Sequence, residues 1–278
     1  MEAPYTANAI PHIDQGVLWY SFPALDAYKD CLCHGFSSRI GGVSEDGFAS
    51  LNLGTGRGDA PERVLENYRR FGKAAGFDPS QTVFSWQTHG VIIREATRAD
   101  AGKGLLRQRD YQGVDSLFTR EARLPLITHY ADCTPLFFYA PDRHIAMLSH
   151  AGWRGTAQKM AAVSVEKMTS LGCDVRQLVA VIGPSAGPER YEVDAACADE
   201  FADIADEKGP VARRIEGKAD KYLLDLWRAN RAAMCWAGMD QRKISIAGLC
   251  TITYHDVFYS HRVQGNARGS LAAFMMLK

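Results

Sequence analysis

The chain has 278 residues, of which 46% are hydrophobic and 23% charged, and its 32 basic side chains balance 32 acidic ones. That length and composition suit a globular protein with a sizeable core, and the neutral balance argues against a general binder of nucleic acid or anionic membranes. No apolar run approaches the ~20 residues of a membrane helix, and seven scattered cysteines without a CxxC pair fit a reducing compartment better than a disulfide framework.

The opening stretch, "MEAPYTANAIPHIDQG", has no basic region followed by an apolar one, so a cytoplasmic location is expected. No linker, low-complexity tract or fixed-period repeat divides the chain, and a single domain over residues 1–278 is the simplest expectation. The first helical pattern is "DAPERVLENYRRFGKAAG", with Val64, Leu65, Tyr68, Phe71 and Ala75 on one face. Asp59 and Pro61 mark its start and Gly76 its end. "TVFSWQTHGVIIREA" (82–96) reads as two β-rich runs broken near His89-Gly90, and "LPLITHYADCTPLFFYAP" (124–141) as two apolar runs interrupted at Asp132-Cys133. "HIAMLSH" (144–150) predicts a strand that runs into a helix over "TAQKMAAVSVEKMTSLG". Farther on, "LVAVIG" (178–183) predicts a strand and "LLDLWRANRAAMCWAG" a helix, before two more strands at "KISIAG" (243–248) and "DVFYS" (256–260). Strands and helices interleave irregularly, which points to an α/β fold with mixed rather than purely parallel sheets.

The stretch "HAGWRGT", His150 to Thr156, lies where a buried strand meets a helix. Rigid elements on both sides suit such a turn to carry functional groups. Glycines at 152 and 155 allow a tight bend or close approach to a ligand, and the following helix start suits an anion. Two other segments share its form, a strand end followed by a ligating side chain and small residues: Gln87-Thr88-His89-Gly90 and Ala131-Asp132-Cys133-Thr134-Pro135. Two imidazoles and a thiolate make a tetrahedral zinc set with one position left open for water, and Asp132 would serve as an outer partner or base. Spacing alone leaves other readings standing: Cys133 as a buried small side chain, His150 as a core histidine, or the two together as a thiol nucleophile and its base.

Arginines form the second theme. Arg39 lies in "HGFSSRIGGVS", Arg154 in "HAGWRGT", and Arg262 and Arg268 in "YSHRVQGNARG". Flanking glycines and hydroxyls suit such guanidinium groups to phosphate or carboxylate. Trp86, Trp153 and Tyr191 offer faces on which a planar ligand would stack.

Taken in order, "HGFSSRIGGVS", "SLNLG", "WQTHG", "ADCTP", "HAGWRGT", "IGPSAGPERYEV" and "GLCTITYHDVFYSHR" resemble the multicopper polyphenol oxidoreductase, or laccase-domain, family. Its members are also called peptidoglycan editing factors and described as zinc-dependent purine nucleoside phosphorylases. The resemblance implies an α/β sandwich of mixed sheets flanked by helices, with metal ligands at His89, Cys133 and His150. It also implies a pocket bordered by Arg39 and Arg154. Implied activities are phosphorolysis of adenosine, inosine, guanosine and methylthioadenosine, plus adenosine deamination. On that reading the partners are purine nucleosides and phosphate, the protein is a monomer or small homo-oligomer, and Zn2+ is the metal, with copper able to replace it. The tail departs from the family: Val263 stands where a second arginine is common and Ala267 where a glycine is usual, so no role comes to Arg268 by resemblance.

Four competing readings remain. A four-copper laccase needs many histidines, commonly in HxH pairs, whereas eight histidines and no HxH occur here; weak phenol oxidation by a copper-loaded site is the surviving form of that idea. Hydrolysis of a misincorporated cell-wall precursor and a metal-free Cys133–His150 hydrolase are two others. The fourth is a zinc-stabilised interaction protein, which would use Cys250 as a closing fourth ligand.

Overall fold

The computed structural model describes residues 3–278. Strands β1 (Ile10–Asp14), β2 (Val17–Ser21), β3 (Leu32–Ser37), β4 (Val83–Phe84), β5 (Ile92–Glu95), β6 (Val114–Thr119), β7 (Leu126–Tyr130), β8 (Thr134–Ala140), β9 (Ile145–Ala151) and β10 (Val179–Ile182) fill the first two thirds. They are followed by β11 (Glu192–Asp194), β12 (Ala205–Asp206), β13 (Gly209–Pro210), β14 (Ala212–Arg214), β15 (Lys221–Leu224), β16 (Ile244–Ile246) and β17 (Leu271–Leu277). The α-helices are α1 (Pro23–Asp26), α2 (Pro61–Ala75), α3 (Trp153–Ala157), α4 (Met160–Ser170), α5 (Ala195–Asp199), α6 (Leu226–Trp236) and α7 (His261–Gln264).

Two six-stranded sheets, ordered β1-β2-β3-β17-β7-β4 and β16-β10-β8-β9-β6-β5, dominate the architecture. Both are mixed: β4 with β7, β5 with β6 and β10 with β16 run parallel, and the other pairs are antiparallel. Their inner faces share one core, in which Tyr20, Phe36, Leu126 and Met275 of the first sheet meet Leu117, Phe137, Tyr139 and Leu148 of the second. Helix α2 covers the outer face of the first sheet through Val64, Tyr68 and Phe71, which pack with Phe274 and Met276. Helices α4 and α6 cover the outer face of the second, with Met160, Val165, Met168 and Met234 packed against Leu136, Phe138 and Met147. The layers are therefore α/β/β/α. This arrangement explains why β8, β9 and β17 are buried at every position: each is covered on both faces.

Three local expectations change. The helix after "HAGWRGT" is two helices, α3 and α4, separated at Lys159, whose φ is +61°. Leu223 and Leu224 belong to β15, and Asp225 caps α6 by accepting the Arg228 N–H. "DVFYS" is not a strand; Val257 and Phe258 both donate backbone N–H to the Tyr254 carbonyl, so its buried side chains enter the core from turns.

One feature of the topology places the site. β4 lies in the first sheet and β5 in the second, and β7 and β8 are likewise split between them. The chain therefore crosses from sheet to sheet at both of these places, through residues 85–91 and 131–133. Strand β9 ends beside the second crossing, with His150 opposite Pro135 and Ala151 opposite Thr134.

Candidate active site

His89 rides on the first crossing, Cys133 on the second, and His150 on the last turn of β9. Their donor atoms all lie within 4.8 Å of one another, the one such group among the described residues. A tetrahedral zinc with bonds of ~2.0–2.3 Å keeps its donors about 3.3–3.8 Å apart, so an inward adjustment of about 1 Å completes three corners. The set suits zinc or copper by donor type, and no fourth His, Cys, Asp or Glu joins it among the described residues. Cys250 does not close it: its Sγ accepts the backbone N–H of Gly187 and Thr253 in a separate apolar cluster with Ala186 and Ile252.

Asp115, at the start of β6, organises the group, and its side chain is fully buried. Oδ1 lies 2.8 Å from His150 Nδ1 and accepts the His89 N–H at 2.9 Å, while Oδ2 accepts the N–H of Thr88 and Gly90 at 2.9 and 3.0 Å. The carboxylate thus holds the first crossing loop by three amides and fixes the His150 tautomer, protonated at Nδ1 with Nε2 free to bind a metal. Burial pushes the Asp115 carboxyl up, but His150 and the amides outweigh it and hold it below the ordinary carboxylate range. Burial likewise opposes charge on Cys133 and His150. Their mutual attraction wins, lowering the thiol and raising the imidazole, so the metal-free pair favours thiolate and imidazolium.

Gly152 is bare because the ligands press on it. A Cβ there would stand 2.6 Å from Cδ2 of His89 and 3.1 Å from Cys133 Sγ. His89 and Asp132 themselves have left-handed backbone, at φ +64° and +84°, a conformation that asparagine, aspartate and histidine enter more readily than other side chains. The Asp132 carboxylate accepts from Thr251 Oγ1 (2.7 Å), Ser260 Oγ (3.0 Å) and the Arg262 N–H (2.7 Å). It fastens the Cys133 loop to the C-terminal segments.

Two cavities meet over the donor group. One, of about 240 Å³, is lined by Arg57, Trp86, Arg109 and Arg268 together with His89, Cys133 and His150. The other, of about 390 Å³, is lined by Trp153, Arg154, Tyr191 and Arg262, and it shares Arg57, His89, Cys133 and Arg268 with the first. Each aromatic face carries a guanidinium: Arg109 over Trp86 at 4.5 Å, Arg154 over Trp153 at 4.2 Å and Arg262 over Tyr191 at 5.0 Å. Of the arginines singled out from sequence, the fold brings Arg154, Arg262 and Arg268 to the donor group and leaves Arg39 apart. Arg39 lines neither cavity; it donates to the carbonyls of Ala49 and His255 and lies over the Tyr259 ring at 4.7 Å. Asp115, Arg57 and Arg109 escaped the sequence reading. Arg57 had a signal, since "GTGRGD" flanks it with glycines just as "SRIGG" follows Arg39.

Residues 33–278 match the family model described as multi-copper polyphenol oxidoreductase laccase. A protein of Geobacillus stearothermophilus named purine nucleoside phosphorylase YlmD is 35% identical over 87% of this chain and 88% of its own length. Its Bacillus subtilis namesake is 33% identical over 88% of each chain. The crystal structure of YlmD from Geobacillus stearothermophilus superposes with a TM-score of 0.87 at 32% identity, covering 97% of this chain and 99% of that one.

Proposed function

Because the chain belongs to the multi-copper polyphenol oxidoreductase laccase family, we propose that it is a zinc-dependent enzyme that splits purine nucleosides with phosphate. The observation that carries this reading is the three-donor group at two adjoining cavities rich in arginine and aromatic faces. The relatives named purine nucleoside phosphorylase supply the reaction. His89, Cys133 and His150 hold the zinc, which supplies a Lewis acid to the reacting groups when bound. In phosphorolysis a phosphate oxygen bonds to the anomeric carbon, the bond from that carbon to the purine nitrogen breaks, and its electron pair leaves with the base. Trp153 and Tyr191 border the cavity that takes the planar base and ribose, and Arg154 and Arg262 cap their outer faces. Asp115 keeps His150 in the ligating tautomer, and Asp132 keeps the Cys133 loop fastened. With both substrates held side by side in adjoining cavities, positioning and electrostatics carry most of the acceleration.

Adenosine deamination belongs to the same pocket as a second reaction, with inosine as its product. Copper fits the two-histidine, one-cysteine set as well as zinc does, and weak phenol oxidation follows from copper loading. A four-copper cluster has too few donors, since only one group of three forms among the described residues. The experiment is chromatography of zinc-loaded protein incubated with adenosine, with and without phosphate, alongside Cys133→Ser. Phosphate-dependent adenine from the wild type alone supports the proposal. Inosine in both tubes without adenine reduces it to deamination, and no product removes it.

A further inference from the structure

Arg268 is buried at 7% exposure, yet its Nε has no hydrogen-bond partner and its Nη1 donates only to the adjacent Gly269 carbonyl. A guanidinium carries five N–H donors, and a buried cation without a counter-charge is costly. Its surroundings make the deficit larger. The cavity shared with His89, Cys133 and His150 is lined by two further arginines, Arg57 and Arg109, and by no aspartate or glutamate. The acid bordering the adjoining cavity, Asp132, has both oxygens committed to Thr251, Ser260 and the Arg262 amide. His129 adds no further positive charge, because burial first and Arg109 second keep its ring neutral, pulled down to about 3. Burial, with Arg57 adding to it, also draws the Arg268 guanidinium down to about 10, outweighing the opposite pull of Asp132 and Cys133.

We infer that Arg268, with Arg57 and Arg109, forms an oxyanion-binding subsite on the Trp86 side of the donor group, and that its occupant is inorganic phosphate. Three guanidinium groups around one cavity match the tetrahedral oxygens of phosphate in geometry and charge. Arg268 is the floor of the subsite and Arg57, which is exposed, its outer wall. Because Arg268 and Arg57 line both cavities, an anion held there lies next to whatever fills the Trp153–Tyr191 side. The inference rests on the phosphorolysis reading for its choice of phosphate but stands on its own geometry for the site. The choice of free phosphate over the phosphoryl group of a nucleotide follows from the phosphorolysis reading, in which phosphate and nucleoside enter as separate substrates.

Calorimetric titration of the zinc-loaded protein with inorganic phosphate, and separately with adenosine 5′-monophosphate, tests this on the wild type, Arg57→Gln, Arg268→Gln and Arg268→Lys. The expected result is one phosphate site per chain, weakened at least tenfold in Arg268→Gln, less in Arg57→Gln, and partly restored in Arg268→Lys. Phosphate binding of unchanged strength in both glutamine variants overturns the inference, as does tighter binding of the monophosphate lost in the same variants. Should Arg268→Gln fail to fold, the exposed position 57 still reads the site, and Arg57→Gln at wild-type affinity then refutes it. Kinetics separate the two claims. Adenine release with an unaltered phosphate KM in Arg268→Gln removes the subsite and leaves phosphorolysis intact. Arginine-dependent phosphate binding without any nucleoside cleavage leaves the subsite and removes phosphorolysis.

Discussion

Asp115→Asn changes one atom at the centre of the site, and its consequences follow from the hydrogen bonds of that carboxylate. The asparagine oxygen fits best where Oδ2 now accepts two amides, from Thr88 and Gly90. Its NH2 then faces the His89 N–H and His150 Nδ1, where Oδ1 stands now. The His89 amide is left without an acceptor, at a cost of about 1–3 kcal/mol of folding stability. His150 is driven to the opposite tautomer, since its Nδ1 must now accept, and the proton moves to the Nε2 that a metal requires. Loss of such an outer carboxylate typically weakens metal binding by about 10–100-fold, or roughly 1.4–2.7 kcal/mol. Chelator competition measures the zinc affinity and urea unfolding of the metal-free protein measures the stability. Zinc binding by folded Asp115→Asn within twofold of the wild type would refute the assignment of Asp115 as the group that sets the His150 tautomer.

Gly152→Ala places a methyl 2.6 Å from the His89 ring; it should lower zinc affinity at least tenfold with little change in the unfolding midpoint of the metal-free protein, and an unchanged affinity would show that the ring has room to move. Thiol alkylation should label Cys133 readily in chelator-treated protein and slowly after zinc is restored, with mass spectrometry of the labelled peptide deciding; equal labelling in both states speaks against Cys133 as a ligand. His34 sits buried with Nε2 accepting the Phe22 N–H at 3.0 Å, and burial pulls it down to about 3. The folded state therefore keeps this ring neutral while the unfolded chain protonates near 6.5, so its contribution is whole above pH 6.5 and declines from there toward pH 3, by on the order of 1 kcal/mol per pH unit. His34→Gln should flatten the fall in urea midpoint between pH 7 and pH 5, and a slope identical to the wild type would assign that fall to other groups.

The site was legible where chemistry and chain direction change together. His89, Cys133 and His150 each follow an apolar run and precede small residues, because the chain leaves a buried strand there, crossing between sheets after β4 and β7 and entering α3 after β9. Asp115 was hidden for the opposite reason. It sits at the edge of the unbroken strand "VDSLFT", and only the meeting of β6 with the 88–90 loop gives its carboxylate four partners. The two arginine outcomes differ by tertiary position alone: Arg39 and Arg57 have similar glycine-rich surroundings, but only Arg57 reaches the cavities. The helix break at Lys159 had no glycine or proline to announce it. It lets α3 bring Trp153 and Arg154 to the groove while α4 turns Met160, Val165 and Met168 into the core. "DVFYS" shows the limit of short apolar runs, which fit a strand and a buried turn equally well.

The most direct test of the account is a titration of metal-free protein with zinc while phosphate-dependent release of adenine from adenosine is followed. The account predicts activity that rises linearly and saturates at one zinc per chain, with no rise in Cys133→Ser. Full activity in the metal-free protein, or a requirement for several coppers, would contradict it.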